Sequence, residues 1–470
     1  MGGFFGVASE NECIQDLFFG TDYHSHLGTR RGGMAIWDDG KITRVIHDIT
    51  NTQFRSKFDG DLRNFHGKRG IGIISDYEDQ PLIIGSHLGT YAIVTVGAVR
   101  NGDALAKKAF STRNTHFSEM SGDEINPTEI VANLINQEES FTAGISHALE
   151  AIEGSCSMLI LTADGIYAAR DRLGRTPVII GRKEGSRCAA IETSSFPNLD
   201  YDIERELGPG EIVFIAEGGV EVKRPPRKTM QICAFLWIYY GFPASSYEGI
   251  NVEDARYRCG AALAERDSVK PDFAAGIPDS GIAHALGYAV RAGIPYKRPF
   301  VKYTPTWSRS FMPQDQQVRD QVARMKLIPI HEIIRGKSIL FCDDSVVRGT
   351  QLRGTFRRIF DYGAREIHLR TACPPLLFGC KYLNFSRSAS EMSLAARRAI
   401  AELEKGRDPD LAVYCDESSS EYAAMVEIIH EKMGITSLRY QYLADMVKAI
   451  GLPEDMQCTY CWNGRECRER

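Results

Sequence analysis

The sequence predicts two units of different grammar in one chain: an α+β, sheet-dominated first half and an α/β second half wound on a parallel sheet. Three observations carry this. Ahead of position 222, short β-rich runs alternate with turns. Beyond position 228, strands and helical periodicities alternate through tight loops, as parallel sheets with crossover helices require. Between them, Lys223-Arg224-Pro225-Pro226-Arg227 places two prolines in a basic cluster that interrupts the pattern and suits a connector. The predicted domains are residues 1–222 and 228–470.

In the first half, Tyr91-Ala92-Ile93-Val94-Thr95-Val96 and Met158-Leu159-Ile160-Leu161-Thr162 read as strands, and Asp164-Gly165 is a hairpin dipeptide. Helices are predicted from Pro127 to Asn136 and from Phe141 to Ile152. In the second half, Phe273 to Ile277 is strand-like and Pro278-Asp279-Ser280-Gly281 is a turn. Ile282, Ala285, Leu286, Ala289 and Val290 then recur at helical spacing before Gly293 closes the helix. Ser338-Ile339-Leu340-Phe341-Cys342 reads as a buried strand running into Asp343-Asp344-Ser345-Val346-Val347-Arg348-Gly349-Thr350. Leu352, Phe356, Ile359 and Phe360 mark the following helix, ended near Gly363. No internal repeat or low-complexity tract interrupts the pattern.

Composition narrows the function classes. At 470 residues, 43% hydrophobic and 25% charged, the chain has ample core for two or three domains and needs no disulfide staples. No window approaches the ~18 consecutive apolar residues of a membrane span, and the opening lacks the basic and apolar regions of a signal peptide, so a cytoplasmic chain is expected. Gly6 stands where a myristoylation motif wants Ser or Thr. A net charge of −5 offers no general attraction to nucleic acid or membrane, so any phosphate must be held locally. Twelve cysteines at scattered spacings point to reduced thiols, metal or cluster ligation.

A strand that ends in two acids and an Arg-Gly-Thr turn at a helix start suits a phosphorylated sugar. Gly349 lets backbone approach a phosphate, the exposed amides and positive helix end attract it, and Thr350 offers a hydroxyl. The acids can hold ribose hydroxyls, directly or through a hydrated divalent cation that balances a pyrophosphate.

The stretch from Phe341 to Thr350 resembles the phosphoribosylpyrophosphate loop of type I phosphoribosyltransferases, in the form found in glutamine phosphoribosylpyrophosphate amidotransferases. Other stretches are similar to that family. Cys233 to Tyr240 with Gly241-Phe242-Pro243 resembles its domain-joining strand, and Ile277-Pro278-Asp279-Ser280 its pyrophosphate-side turn. Lys302-Tyr303 through Ser308-Arg309-Ser310-Phe311 to Lys326-Leu327 resembles its closing loop, while Gly174, Arg175, Pro177, Leu207 to Glu211 and Gln80-Pro81 match its first half.

The resemblance implies an N-terminal-nucleophile-hydrolase-like αββα sandwich joined to a doubly wound phosphoribosyltransferase domain. It implies that Asp343 and Asp344 contact ribose and magnesium (Mg2+), with Ser280 near the metal and Asp279 on the substrate. Ser345, Arg348, Gly349 and Thr350 would cradle the 5′-phosphate, while Lys302, Arg309 and Lys326 belong to the loop that closes on the pyrophosphate. The implied reaction puts an amine, most simply free ammonia, on C1 of phosphoribosylpyrophosphate, giving 5-phosphoribosylamine and pyrophosphate at the start of purine synthesis. A different amine acceptor, or a non-catalytic subunit that senses phosphoribosylpyrophosphate or nucleotides, are the alternatives. The resemblance also implies a homo-oligomer, a tetramer, that answers to purine nucleotides.

The first half departs from that family. Gly2 stands where the family exposes its nucleophilic cysteine, Gly3, Phe5, Gly6 and Val7 otherwise keep the family's opening, and no Cys, Ser or Thr lies among the first eight residues. The family's glutamine-carboxylate arginine falls on Ser75, its oxyanion asparagine and glycine on Val96-Gly97, and its ammonium-binding aspartate on Pro127. Loss of glutamine hydrolysis is the expectation. His26, Gly28 and Gly33 persist, with a structural role expected.

Cys458-Thr459-Tyr460-Cys461 has the two-residue spacing that turns both sulfurs to one metal. Iron-sulfur members of the family use such a pair with two distant cysteines, which fall here on Cys233 and Cys380. A 4Fe-4S cluster, zinc and free thiols all stay open, with Cys373 and Cys467 as spare thiols and Cys342 as strand packing.

Overall fold

The computed structural model describes residues 2–111, 116–121, 124–303, 327–383 and 391–466, with Gln351 described in its backbone alone. β1 (Gly3–Ser9) is buried at all seven positions, so a layer must cover each of its faces. Helix α1 (Ile14–Asp22) covers one, and a second sheet covers the other. The first sheet also holds β2 (Arg31–Asp38), β3 (Lys41–Asp48) and β4 (Arg69–Ser75). The second sheet is built from β5 (Leu82–Ser86) and β6 (Gly89–Val99) with β7 (Gly154–Leu161) and β8 (Ile166–Ala169). The chain then returns to the first sheet as β9 (Ile179–Lys183), β10 (Ser186–Ala190) and β11 (Asp202–Glu206), and ends in the second as β12 (Ile212–Ala216) and β13 (Gly219–Arg224). The seven-stranded order is β11-β9-β10-β1-β4-β2-β3 and the six-stranded order is β13-β12-β8-β7-β6-β5.

Period-2 alternation fixes which residues face which layer. Along β6 and β7, Ala92, Val94, Val96, Leu159 and Leu161 meet the first sheet, while Tyr91, Ile93, Met158 and Ile160 meet helices. Those helices are α2 (Pro127–Ile135) and α3 (Phe141–Ala151), at the predicted positions and capped by Asn126 and Ser140. Helix, sheet, sheet, helix is the layer order expected.

In the second half, β14 (Ile232–Cys233) precedes α4 (Val252–Glu265), β15 (Phe273–Gly276) and α5 (Gly281–Ala292), which Gly293 closes in the left-handed region at φ 67°. Then come β16 (Ser338–Asp343), α6 (Thr350–Asp361), β17 (Glu366–Thr371), β18 (Ser437–Tyr440) and β19 (Gln457–Cys458). β15, β16, β17 and β18 pair in that order, all parallel. A parallel bridge from Ala274 to Tyr296 adds the next chain segment on the opposite side of β15. Strand order therefore reverses between β15 and β16, where an open α/β sheet leaves a crevice at its carboxyl ends.

Two local expectations change. Of the joining stretch, only Ile232–Cys233 is a strand; Leu236–Tyr240 winds into a π-helical turn with Leu236, Trp237 and Ile238 buried. The turn forms because Arg256 on α4 caps its carbonyls, donating to the oxygens of Trp237 (2.8 Å), Tyr239 (2.9 Å) and Gly241 (2.9 Å). The basic connector is exposed at Pro225 and Pro226 but tied down beside them, since Arg224 and Arg227 both pair with Glu150.

The core runs without a break from both sheets through Ile232–Ile238 to Val252, Cys259, Ala372 and Met446. A fully buried carboxylate, Glu192, fastens this junction. It accepts from Tyr247 Oη (2.5 Å), Ser245 Oγ (3.3 Å) and the Phe242 amide (3.3 Å), and lies 2.9 Å from His26 Nε2. The persistent His26 thus has the structural place expected of it. Among the described residues no helix is long and apolar enough to cross a membrane.

Two other histidines set a pH dependence. His24 and His284 are fully buried, and burial pulls their pKa values down to about 4 and about 3. The unfolded chain binds these protons at ordinary histidine values, so their contribution to stability is complete above pH 6.5 and falls as pH drops toward the folded values. At pH 5 each is expected to cost about 2 kcal/mol relative to pH 7. Urea unfolding at the two pH values checks this, with His284→Asn expected to flatten the difference.

Candidate active site at the carboxyl ends of the parallel strands

β16 delivers its last residue, Asp343, and then Asp344 and Ser345 into the crevice, all three buried. The backbone amide of Asp344 donates to Asp343 Oδ1 (3.0 Å), Ser345 Oγ donates to Asp344 Oδ1 (2.6 Å), and Ser280 Oγ at the start of α5 donates to Asp344 Oδ2 (2.5 Å). Burial and the neighbouring carboxylate push the Asp343 acid well above the usual range. Burial also raises Asp344, against the donors Ser280 and Ser345 and the charge of Arg256. Two adjacent, desolvated carboxylates of this kind favour a positive charge beside them.

Gly349 is the residue before α6 and takes φ 75°, a left-handed conformation that suits glycine and turns the loop into the helix N-terminus. Arg348 and Thr350 beside it are exposed, and the Arg348 carbonyl accepts from Arg398 Nη2 (2.5 Å). On the facing turn the Pro278–Asp279 peptide bond is cis, and Asp279 pairs with Lys302 Nζ at 2.5 Å. Asp279, Ser280, Lys302, Asp343, Asp344 and Ser345 thus gather around the strand ends. Arg309 and Lys326, with the rest of 304–326, lie outside the described residues.

Arg256 escaped sequence reasoning. Only 2% exposed, it sits on the buried stripe of α4 with Val252, Ala255, Cys259 and Leu263, and its charge acts on Asp344. An arginine on an apolar helical stripe is the signal that marks it.

The first-half positions also converge, but on one another. A Cβ at Gly2 would stand 2.4 Å from the Ile74 carbonyl oxygen. Ser75 Oγ donates to Glu78 Oε2 (2.9 Å). Gln80 clamps Thr95 through both amide atoms (2.7 and 3.2 Å), Thr95 Oγ1 meets Thr128 Oγ1 at 2.7 Å, and Asn126 Nδ2 donates to the Asp79 carbonyl (3.0 Å). Val96 is buried, and Pro127 begins α2. The nearest thiol, Cys13, is buried and its acidity is suppressed by that burial.

The cysteines form a second cluster. Cys233 on β14 is the register partner of Cys458 on β19, and Ala234 N donates to the Cys458 carbonyl (3.3 Å). Cys461 lies hydrogen-bonded to Cys380, whose thiol is thereby held down to about 6. Cys233 also feels Cys380, and Cys461 feels Cys233 and Cys458, so the four thiols share one locality. Cys373 is buried, with Asp344 and Cys259 acting on it, and Cys467 is outside the described residues. Among the described residues no three His, Cys, Asp or Glu side chains converge closely enough to hold a single ion.

A family model described as a glutamine amidotransferase domain matches residues 68–197. The amidophosphoribosyltransferase of Bacillus subtilis is 29% identical over 98% of this chain and 93% of that protein. The chloroplastic amidophosphoribosyltransferase of Vigna aconitifolia is 32% identical over 86% of this chain and 83% of its own. The chain belongs to the amidophosphoribosyltransferase family. The solved glutamine phosphoribosylpyrophosphate amidotransferase from B. subtilis, complexed with ADP and GMP, superposes with a TM-score of 0.84 at 28% identity, covering 98% of this chain and 96% of that one. A second structure, named as the allosteric regulatory enzyme of purine biosynthesis, gives the same TM-score at 27% identity. Membership of the amidophosphoribosyltransferases makes the chain a phosphoribosyl-class glycosyltransferase of the first step of purine biosynthesis, and the two-part fold agrees with that read from the sequence. The family is compatible with magnesium and, in some members, with a 4Fe-4S cluster.

Proposed function

We propose that this enzyme transfers nitrogen from free ammonia, not from glutamine, to C1 of phosphoribosylpyrophosphate, releasing pyrophosphate. The observation that carries the second clause is the Gly2 position: no nucleophile stands there, and the Ile74 carbonyl occupies the space a side chain would need. Ser75, Val96 and Pro127 supply neither a carboxylate grip, an oxyanion donor nor an ammonium partner, and the internal hydrogen bonds of Gln80, Thr95 and Asn126 fill the gap.

The sugar site has the parts its reaction needs. Loss of pyrophosphate leaves oxocarbenium-like charge on the ribose and negative charge on the leaving group. Asp343 and Asp344 would hold the ribose hydroxyls and Ser345, Arg348, Gly349 and Thr350 the 5′-phosphate. Asp279, Lys302, Arg309 and Lys326 would frame the pyrophosphate, with the N-terminus of α5 aimed at it. No covalent protein nucleophile is required. The donor set fits magnesium: hard oxygens from Asp343, Asp344 and Ser280, to which water and phosphate oxygens would add. When bound, magnesium would offset the charge that develops on the pyrophosphate. The charge of Arg256 opposes the burial that raises the Asp344 carboxyl.

The cysteine set fits a 4Fe-4S cluster. Four cysteine thiols in one locality form the all-sulfur donor set that such a cluster takes. Such a cluster would pin the C-terminal segment across the domain junction. We further read the enzyme as a cytoplasmic homo-oligomer that binds purine nucleotides, as its solved relative does with ADP and GMP.

Pyrophosphate release from phosphoribosylpyrophosphate and ammonium tests the reaction. EDTA is expected to reduce the rate at least about a hundredfold and added magnesium to restore it. Binding of phosphoribosylpyrophosphate with no release at any amine would instead support a sensor.

A further inference from the structure

We propose that Arg175 is a positioning residue for the iron-sulfur cluster, a role by which the first domain holds and charge-balances the C-terminal cysteines. The inference rests on the cluster reading above. Arg175 follows Gly174, which takes φ 64°, and is itself 3% exposed. Its carbonyl accepts from the amide of Cys233 (3.1 Å). Its guanidinium carbon lies over the Tyr382 ring, 3.4 Å from the centroid, two residues beyond Cys380. The charge of the same guanidinium acts on the Cys458 thiol, while its buried Nε has no hydrogen-bond partner among the described residues. One side chain and its backbone therefore reach the surroundings of Cys233, Cys380 and Cys458 together. Tyr382 extends the contact to Tyr460, its ring 5.5 Å away and next to Cys461.

A second first-domain arginine acts beside it. Arg100 Nη2 donates to the Cys380 carbonyl (2.7 Å) and Nε to the Lys381 carbonyl (2.9 Å). Four thiolates around a cubane leave a buried net negative charge, and a buried charge is costly unless paired and hydrogen-bonded. A hydrogen bond to ligand sulfur and a nearby cation both stabilise the more reduced, more negative cluster, so they raise its potential. Of the charged groups that act on Arg175, the Cys458 thiol has the largest effect, ahead of the Asp171 carboxylate.

Anaerobically purified wild type, Arg175→Met and Arg175→Lys decide the matter through iron and sulfide content, midpoint potential followed by electron paramagnetic resonance, and cluster half-life in air. Arg175→Met is expected to shift the potential negative and shorten the half-life about tenfold. Arg175→Lys keeps the charge but loses the planar stack, and is expected to fall between the two. If Arg175→Met fails to fold, the lysine variant alone decides, because its potential must move. A wild type that holds a cluster whose potential and lifetime neither variant changes overturns the role of Arg175 and spares the cluster reading. A wild type with no iron or sulfide overturns both.

Discussion

Asp344→Asn is expected to lower kcat/KM for ammonia-dependent pyrophosphate release about a thousandfold while leaving the protein as stable as wild type, or more so. Asparagine has the shape of aspartate: its amide oxygen can still accept from one of the Ser280 and Ser345 hydroxyls, which lie 2.5 and 2.6 Å from the carboxylate, and its amide nitrogen can donate to the other. It removes the charge that would meet ribose and magnesium, and loss of one preorganised electrostatic group costs about a hundred- to a thousandfold in enzymes generally. The same change relieves repulsion with Asp343, the second cause after burial of that group's raised pKa. Falling activity with undiminished thermal stability separates a catalytic carboxylate from a folding one. Equal activity in the two proteins would remove the carboxylate pair from the reaction.

Restoring the family cysteine by Gly2→Cys is expected to give no glutamine-dependent turnover and to destabilise the protein by about 1–3 kcal/mol. The new Cβ would begin 2.4 Å from the Ile74 carbonyl oxygen, a backbone atom in a buried strand that has little room to yield. A thiol placed there would still lack an oxyanion donor at Val96 and a carboxylate grip at Ser75, whose hydroxyl is committed to Glu78. Glutaminase assays together with thermal melts of this variant check both halves of the expectation. A glutamine-competent Gly2→Cys enzyme would mean that the rest of the pocket is intact.

The parts of the site that sequence reasoning reached are local ones. A run of apolar residues ending in Asp343-Asp344, with Gly349 before Thr350, specifies a strand, a turn and a helix start within about a dozen residues, and the structure builds them so. The α2 and α3 helices, the Asp164-Gly165 hairpin and the Gly293 stop are equally local. The parts it missed depend on contacts between distant segments. Arg256 winds the 236–240 turn from 16 or more positions away along the chain, a relation that no periodicity encodes. The contact of Arg175 with Cys458 and the fastening of Glu192 to Tyr247 arise only when the two halves pack. The reading of Ser75, Val96 and Pro127 as lost functions came from resemblance. Their present work, as strand end, core side chain and helix start, is visible only in three dimensions.

The central claim is that a working sugar-diphosphate site is joined to a first domain that no longer cleaves glutamine. Nitrogen tracing tests it most directly: wild-type enzyme, phosphoribosylpyrophosphate and magnesium are supplied with either isotopically labelled ammonium or amide-labelled glutamine in ammonia-free buffer. The account predicts label in 5-phosphoribosylamine from ammonium alone. Label arriving from the glutamine amide at a comparable rate would contradict it.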